Sequence, residues 1–235
     1  MKYLYVNGCS MSDGSCLLEY DIERIEKLDY VTDSNWDIGF DERWSKLLAN
    51  KLNLEEINQA QHGGSNDRII RMTMDWCSKN KSKLKDTLFV IGWTSFNRFE
   101  FWDNFLDRFV QVSNGEPTHE DKIDKRLQLY VNQYWKERHN DLETYDKLLR
   151  NIIFFQSFFK SNNLSYLFLD SIGGQLNIIK KHEYKSFVDK KHWWNYDEQV
   201  NSFADLASKT NSYGIDYDDG EGHPGIEAHK ELSEQ

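Results

Sequence analysis

The stretch "DTLFVIGW", residues 86 to 93, is a near-continuous apolar run that closes on a glycine and a tryptophan. Runs of this kind are typical of strands that are buried on both faces of a parallel sheet. Three more strands are predicted, at "KYLYV" (2–6), which is a short apolar run, at "LEEIN" (54–58) and at "LSYLFLDS" (164–171). Segments with helical spacing separate these runs, so the sequence predicts an α/β protein with a mostly parallel sheet covered by helices on both faces.

Helices are predicted at 41–53 with Asp41 as N-cap, from Ser65 to about Cys77, near 197–209, and after Pro224. The region between the third and fourth predicted strands, roughly 99 to 160, contains the loop "SNGEPTHED" and is otherwise helical in pattern. We expect a helical insertion there. The chain shows no internal repeat and no linker, which predicts a single domain over residues 1–235.

Composition limits the classes of partner. The formal net charge of -10 argues against nucleic acid, because binding to a phosphate backbone relies on clustered Lys and Arg. No apolar run reaches the roughly 18 residues of a membrane helix, and "MKYLYVNGCS" lacks the apolar stretch of a secretory signal. We therefore expect a cytoplasmic protein. The cysteines, Cys9, Cys16 and Cys77, follow no metal-binding or redox spacing and are expected to be reduced thiols.

Glycine-containing turns follow three of the predicted strands, in "NGCS" (7–10), "HGGS" (62–65) and "IGWTS" (91–95). Ligands of open α/β sheets bind beyond the carboxyl ends of the strands. In a parallel sheet these turns share that edge, so we expect them to converge although they are far apart in sequence.

Four stretches carry a resemblance to the SGNH, or GDSL, hydrolase family. "GCSMSDG" (8–14) resembles the first block of that family, with Ser10 in the position of the nucleophile. "NQAQHGGS" (58–65) resembles the second block, N-x-G-x-S-G-x-T, and "IGWTS" follows a buried strand as the third block, G-x-N-D, does. "GEGHPGIEAHKEL" (220–232) resembles the fifth block, D-x-x-H-P, with His223 in the position of the base. The resemblance spans the chain in the family's order and implies a three-layer, flavodoxin-like fold.

The resemblance implies serine hydrolase chemistry. A serine hydroxyl is a weak nucleophile until a neighbouring imidazole takes its proton, and a carboxylate holds that imidazole in the right tautomer. These roles would fall to Ser10 and His223. The backbone N–H groups of Ser10 and Gly63 would donate to the oxyanion of the intermediate.

The third block departs from the family pattern. The family's asparagine, whose amide donates to the oxyanion, aligns with Thr94. The hydroxyl of Thr94 or of Ser95 could take its place, and Asn97 is a more distant alternative. The loss of one such donor typically lowers the rate about 10²–10³-fold.

The last block departs as well, because Gly220 occupies the position three residues before His223 where the family has its orienting aspartate. Asp219, one residue earlier, is the first substitute, with Glu221 and Asp218 as alternatives. If none of these carboxylates reaches His223, the protein would have a dyad or no activity.

The resemblance implies an esterase that cleaves a small acyl ester or a carbohydrate O-acetyl ester through an acyl-enzyme. Two alternatives are a binding or structural protein that kept the fold without turnover, and an acyltransferase with the same nucleophile. No cofactor is expected, and no metal, because the carboxylates of "DYDDGE" (216–221) lack the EF-hand spacing. The expected partner is a small-molecule or carbohydrate ester, with neither nucleic acid nor membrane, and the oligomeric state is left open.

Overall fold

The computed structural model describes residues 1–14, 41–113, 115–118, 121, 124–212 and 223–235. The strands of these segments are β1 (Tyr3–Asn7), β2 (Glu55–Asn58), β3 (Thr87–Trp93), β4 (Phe99–Asp103), β5 (Arg108–Ser113), β6 (Glu116–Pro117) and β7 (Ser165–Asp170). The helices are α1 (Ser10–Asp13), α2 (Trp44–Leu52), α3 (Asn66–Lys79), α4 (Lys125–Glu137), α5 (Asp141–Ser161), α6 (Gln175–Lys181), α7 (Phe203–Thr210) and α8 (Ile226–Glu234). Short 3-10 segments lie at Leu84–Asp86, Glu183–Phe187 and Lys190–His192.

The main sheet is parallel and has the strand order β2-β1-β3-β7. Its four strands coincide with the four predicted strands, which confirms the predicted mostly parallel sheet. β3 lies between β1 and β7 and is paired along most of its length. The carboxyl ends of β1, β2 and β3 therefore lie side by side, and the segments that follow them share one edge. Gly92, which was predicted to lie in the third turn, is instead part of β3.

Helices cover both faces of this sheet, as predicted. Side chains alternate between the two faces of a strand, so one face of β1 and β3 carries Tyr5 and Phe89 and the other carries Leu4, Val6 and Val90. The first set packs with residues of α3, α5 and α6 in one apolar cluster. The second set packs with residues of α2, α7 and α8 in another.

The insertion between β3 and β7 is not wholly helical, which corrects the prediction for its first part. It begins with an antiparallel sheet of order β4-β5-β6, and α4 and α5 follow. Phe99 and Phe101 stand two residues apart in β4 and pack on Tyr134 and Tyr130 of α4, each with ring centroids 4.7 Å apart. Aromatic residues fit a half-covered pleated surface of this kind.

The helix ends differ from the prediction at one cap. α2 begins after Arg43, which makes no side-chain cap, so Asp41 is not the N-cap. Ser65 caps α3, because its hydroxyl accepts a hydrogen bond from the Arg68 amide. Among the described residues, no helix combines the length and the apolar character needed to cross a membrane.

Candidate active site

Ser10 is the first residue of α1, just beyond the carboxyl end of β1. The carbonyl of Cys9 accepts hydrogen bonds from the amides of Ser12 (2.9 Å) and Asp13 (3.2 Å), which closes the single turn. Gly14 ends it at φ 82°, in the left-handed region that glycine adopts without strain. The side chain of Ser10 is 4% exposed. Cys9 is a buried free thiol.

His223 meets Ser10 directly. The distance from His223 Nε2 to Ser10 Oγ is 2.7 Å, within the 2.6–3.2 Å that a nucleophile–base pair requires. His223 lies just before Gly225, the N-cap residue of α8. The ring of His62, from the turn after β2, stacks on the His223 ring with centroids 5.9 Å apart. The structure thus brings together two residues that are 213 positions apart.

A second histidine, His229, supports the turn that carries His223. It is 2% exposed, and its Nδ1 accepts a hydrogen bond from the Trp44 amide at 2.9 Å. The Pro224 backbone lies close enough to the His229 ring to raise its pKa slightly. Burial, with the nearby His223, lowers the pKa of His229 to about 3, so the ring is neutral near pH 7.

The second glycine turn lies against the first. The Gln61 amide donates to the Gly8 carbonyl at 3.2 Å, and the Gly64 amide donates to the Gln61 carbonyl at 2.9 Å. Gly63 has φ 67°, in the left-handed region. Among the described residues, neither the amide of Gly63 nor that of Ser10 has a hydrogen-bond acceptor.

Thr94 follows β3 and is fully buried. Its amide donates to Asn66 Oδ1 at 2.9 Å, and its carbonyl accepts from Asn66 Nδ2 at 3.0 Å. Its hydroxyl oxygen accepts from Arg98 Nη1 at 2.9 Å, which leaves the hydroxyl hydrogen for another acceptor. Of the two alternatives, Ser95 Oγ accepts from the amide of Asn97, and Asn97 lines a cavity of about 60 Å³ with residues of α4 and α5.

Two asparagines that the sequence reasoning did not single out hold the three turns together. Asn58 Nδ2 donates to the Ser12 carbonyl at 2.8 Å, which ties the end of β2 to α1. Asn66 ties the start of α3 to the end of β3. The position of Asn58 directly after an apolar run is a signal for such a role, whereas the sequence contains none for Asn66.

His229 was also missed, since the sequence left it on the last helix without a role. Its neighbour Ala228 is buried, and so is Leu232 one turn away; this apolar face would have indicated that His229 points inward. Asp219 and its alternatives Glu221 and Asp218 lie in residues 213–222, outside the described part of the chain.

Together, the parallel sheet, the helices on both faces and the paired Ser10 and His223 define an α/β protein with the fold of known esterases. The acetyl xylan esterase Est2A from the rumen bacterium Butyrivibrio proteoclasticus has a similar structure, with a TM-score of 0.52 and 15% identity over 99% of this chain. The chain spans 62% of the length of that esterase. At this identity the similarity concerns the fold alone.

Two further solved structures align over the whole chain with a TM-score of 0.47 each. One is a G-D-S-L family protein from Desulfitobacterium hafniense DCB-2, at 12% identity over 97% of its own length. The other is the psychrotrophic esterase EstA from a Pseudoalteromonas species, at 11% identity over 93% of its own length.

The chain belongs to the family described as "Family of unknown function (DUF6071)", whose model matches residues 31–213. Ser10 and His223 lie on either side of the matched range. Comparison with curated proteins gives no match.

Proposed function

We propose that this protein is a serine hydrolase of the SGNH type that cleaves a carboxylic ester, with a small acyl ester or a carbohydrate O-acetyl ester as substrate. The observation that carries the proposal is the 2.7 Å distance between His223 Nε2 and Ser10 Oγ at the carboxyl edge of a parallel sheet. The amides of Ser10 and Gly63, which have no acceptor among the described residues, add to it.

The chemistry follows from this arrangement. Ser10 Oγ attacks the ester carbonyl carbon while its proton passes to His223 Nε2. The tetrahedral intermediate collapses, the carbon–oxygen bond to the alcohol breaks, and the leaving oxygen takes the proton from His223. Water then attacks the acyl-enzyme, again giving a proton to His223, and the acid leaves as Ser10 regains its proton.

The oxyanion would accept hydrogen bonds from the amides of Ser10 and Gly63, with the Thr94 hydroxyl as the third donor. Donors that are fixed before the reaction stabilise the developing negative charge without reorganising. Asn58 and Asn66 supply this rigidity, because each ties a donor-bearing turn to a neighbouring element.

The proposal is tested by a fluorophosphonate probe followed by peptide mapping, with hydrolysis of p-nitrophenyl acetate measured in parallel. We expect stoichiometric labelling of Ser10, loss of labelling in Ser10→Ala, and retained labelling in Cys9→Ala, the matched control for the adjacent thiol. Folded protein that is neither labelled nor active would contradict the proposal and favour a binding protein.

Gly64→Ala should lower both stability and ester hydrolysis. A Cβ on Gly64 would stand 2.9 Å from the Gln61 carbonyl oxygen and 3.1 Å from that of Gly8, so backbone must move. Overpacking of this kind costs about 1–3 kcal/mol of unfolding free energy, and displacement of the Gly63 donor should lower kcat about 10²-fold. Thermal unfolding and steady-state kinetics measure the two effects.

The control for this variant is Gly174→Ala. Gly174 has φ 82°, yet its added Cβ would meet no atom within 4 Å. The control should lose about 1–2 kcal/mol of stability from left-handed strain while kcat stays unchanged. Equal losses of kcat in both variants would show that Gly64 matters only for folding.

The orienting acid is proposed to be Asp219. Asp219→Asn should lower kcat about 10³–10⁴-fold, because the asparagine side chain would hold the imidazole of His223 in the wrong tautomer. Glu221→Gln is the matched control and should have little effect. The opposite result would reassign the role to Glu221.

A further inference from the structure

A groove of about 330 Å³ lies beside the second glycine turn. Among the described residues, those that line it include the arginines Arg68, Arg71 and Arg108 and one carboxylate, Asp121. The whole chain has a formal net charge of -10, so a surface on which arginine predominates is a local exception to the charge of the protein.

The groove adjoins the turn that would hold the oxyanion. Gln61 lines the groove, and its amide donates to the carbonyl of Gly8, two residues before Ser10. Thr118 also lines it, and Thr118 Cγ2 is 3.1 Å from where a Cβ on Gly63 would stand. One wall of the groove is therefore the same turn that carries the Gly63 amide.

Two of the three arginines are neutralised by carboxylates. Arg71 forms a two-point ion pair with Glu100, at 2.7 Å for both bonds. Arg108 forms another with Asp121, at 3.0 and 2.6 Å. Among the described residues, these two ion pairs leave the charge of one guanidinium at the groove without a carboxylate in direct contact.

That charge belongs to Arg68. Its Nη1 donates to the backbone carbonyl of Gln59 at 2.9 Å, and no carboxylate among the described residues forms an ion pair with it. Burial, and then the neighbouring Arg71, lower its pKa. Asp13 of α1 is close enough to act on it through space, so Arg68 also lies near the helix that begins with Ser10.

We propose that this groove binds a negatively charged group of the ester substrate, with Arg68 as the residue that recognises it. The proposal rests on the proposed ester hydrolysis at Ser10 and adds the substrate class, an ester that carries a carboxylate or phosphate on its acyl or alcohol part. The planar guanidinium suits such oxyanions because it offers parallel N–H donors.

Matched esters test which substrate is preferred. The first pair is the mono-p-nitrophenyl ester of adipic acid and its methyl-capped neutral form, which place the charge on the acyl side. The second set is 4-acetoxybenzoate, 4-acetoxyphenyl phosphate and methyl 4-acetoxybenzoate, which place a carboxylate, a phosphate or no charge on the alcohol side. We expect kcat/KM to be higher for the charged member of at least one set.

Arg68→Gln should remove that preference. Hydrogen bonds to charged groups predict a loss of about 10–100-fold in kcat/KM for the preferred anionic ester, with less than about threefold change for the neutral one. Arg150→Gln, at an exposed arginine of α5, is the matched control and should change neither. Equal rates for charged and neutral esters in the wild type, or equal losses for both in Arg68→Gln, would overturn the proposal.

Equilibrium binding separates this proposal from the proposed catalysis. Ser10→Ala protein should bind the preferred anionic ester at least about tenfold more tightly than its neutral partner, and Ser10→Ala/Arg68→Gln should bind both alike. If Ser10→Ala shows this binding preference but the wild type does not hydrolyse the esters, the proposed hydrolase activity is refuted and the proposed anion site is supported. Equal affinity of Ser10→Ala for both esters would refute the anion site even if the wild type is an esterase.

Discussion

Ser10→Ala should lower kcat/KM for ester hydrolysis by about 10⁴–10⁶-fold, and His223→Ala should lower it by a similar factor. The reason is that the two groups act as one unit across a 2.7 Å hydrogen bond. The Ser10→Ala/His223→Ala double variant should be no slower than either single variant. Steady-state kinetics on p-nitrophenyl acetate measures all three.

Stability provides the control for this prediction. Removal of one partly buried hydrogen bond costs about 0.5–1.5 kcal/mol, so each variant should remain folded at room temperature. If the reductions in kcat/KM of the two single variants add up in the double variant, Ser10 and His223 act independently. Full activity in Ser10→Ala would exclude Ser10 as the nucleophile.

His229→Phe should lower the unfolding free energy by about 1–3 kcal/mol at pH 7, because it leaves the buried amide of Trp44 without its acceptor. kcat should fall as well, since His223 precedes Pro224 directly, and His229 is thus a positioning residue. Denaturant unfolding and kinetics measure the two effects.

His229→Asn is the matched conservative variant, because its Oδ1 can replace Nδ1 as the acceptor for the Trp44 amide. It should recover part of the stability and more of kcat than His229→Phe does. If both variants lose stability but keep the wild-type kcat, His229 supports the fold without positioning His223.

The pH dependence of stability gives His229 a separate signature. Its pKa is lowered in the folded protein, from 6.5 to about 3, so between these values the unfolded chain binds more protons. The stabilisation is complete above pH 6.5 and is lost as pH falls, at about 1.4 kcal/mol per pH unit. The difference in unfolding free energy between the wild type and His229→Phe should therefore shrink as pH falls from 6.5 to 4.

The unfolding free energy of the wild type is compared with that of His229→Phe because Asp170, which is present in both proteins, changes stability with pH in the opposite direction. Burial raises the pKa of Asp170 from 3.8 to about 6, although its carboxylate accepts the amides of Gly173 and Leu176. Its folded form binds more protons than its unfolded form between these values, so stability falls as pH rises through that window. A difference that stays constant with pH would contradict the assignment of a neutral, buried His229.

Three strands of the main sheet, β1, β3 and β7, were predictable because each is a mostly apolar run, whereas β2 contains two glutamates and has the weakest sequence signal. β3 is the plainest case, since a strand between two others must be apolar on both faces. The convergence of the turns after β1, β2 and β3 followed from parallel pairing. That argument needs no knowledge of side-chain contacts.

The insertion was less predictable because its sequence fits two periods. Phe96, Phe99 and Trp102 are three residues apart, which fits a helix, while Phe99 and Phe101 are two apart, which fits a strand. The partner strand β5 and the aromatic residues of α4 decide for the strand. Such contacts lie beyond any local window of sequence.

The candidate site was predictable only where the chemistry has a fixed motif, at Ser10 and His223. The support of that site depends on pairs that are distant in sequence, such as Trp44 with His229, 185 positions apart. The charge of Arg68 likewise matters only because the carboxylates near it are paired with other arginines. Neither the contact between Trp44 and His229 nor the pairing of these carboxylates can be predicted from the spacing or the composition of the sequence.

The separation of 213 positions between Ser10 and His223 has a consequence for biosynthesis. A ribosome completes β1 and the serine of α1 long before it translates the histidine. Because His223 lies just before α8, which packs against α2 and α7, it reaches the serine only after the last helix docks. Esterase turnover would thus report on complete folding, and a nascent chain on the ribosome would stay inert.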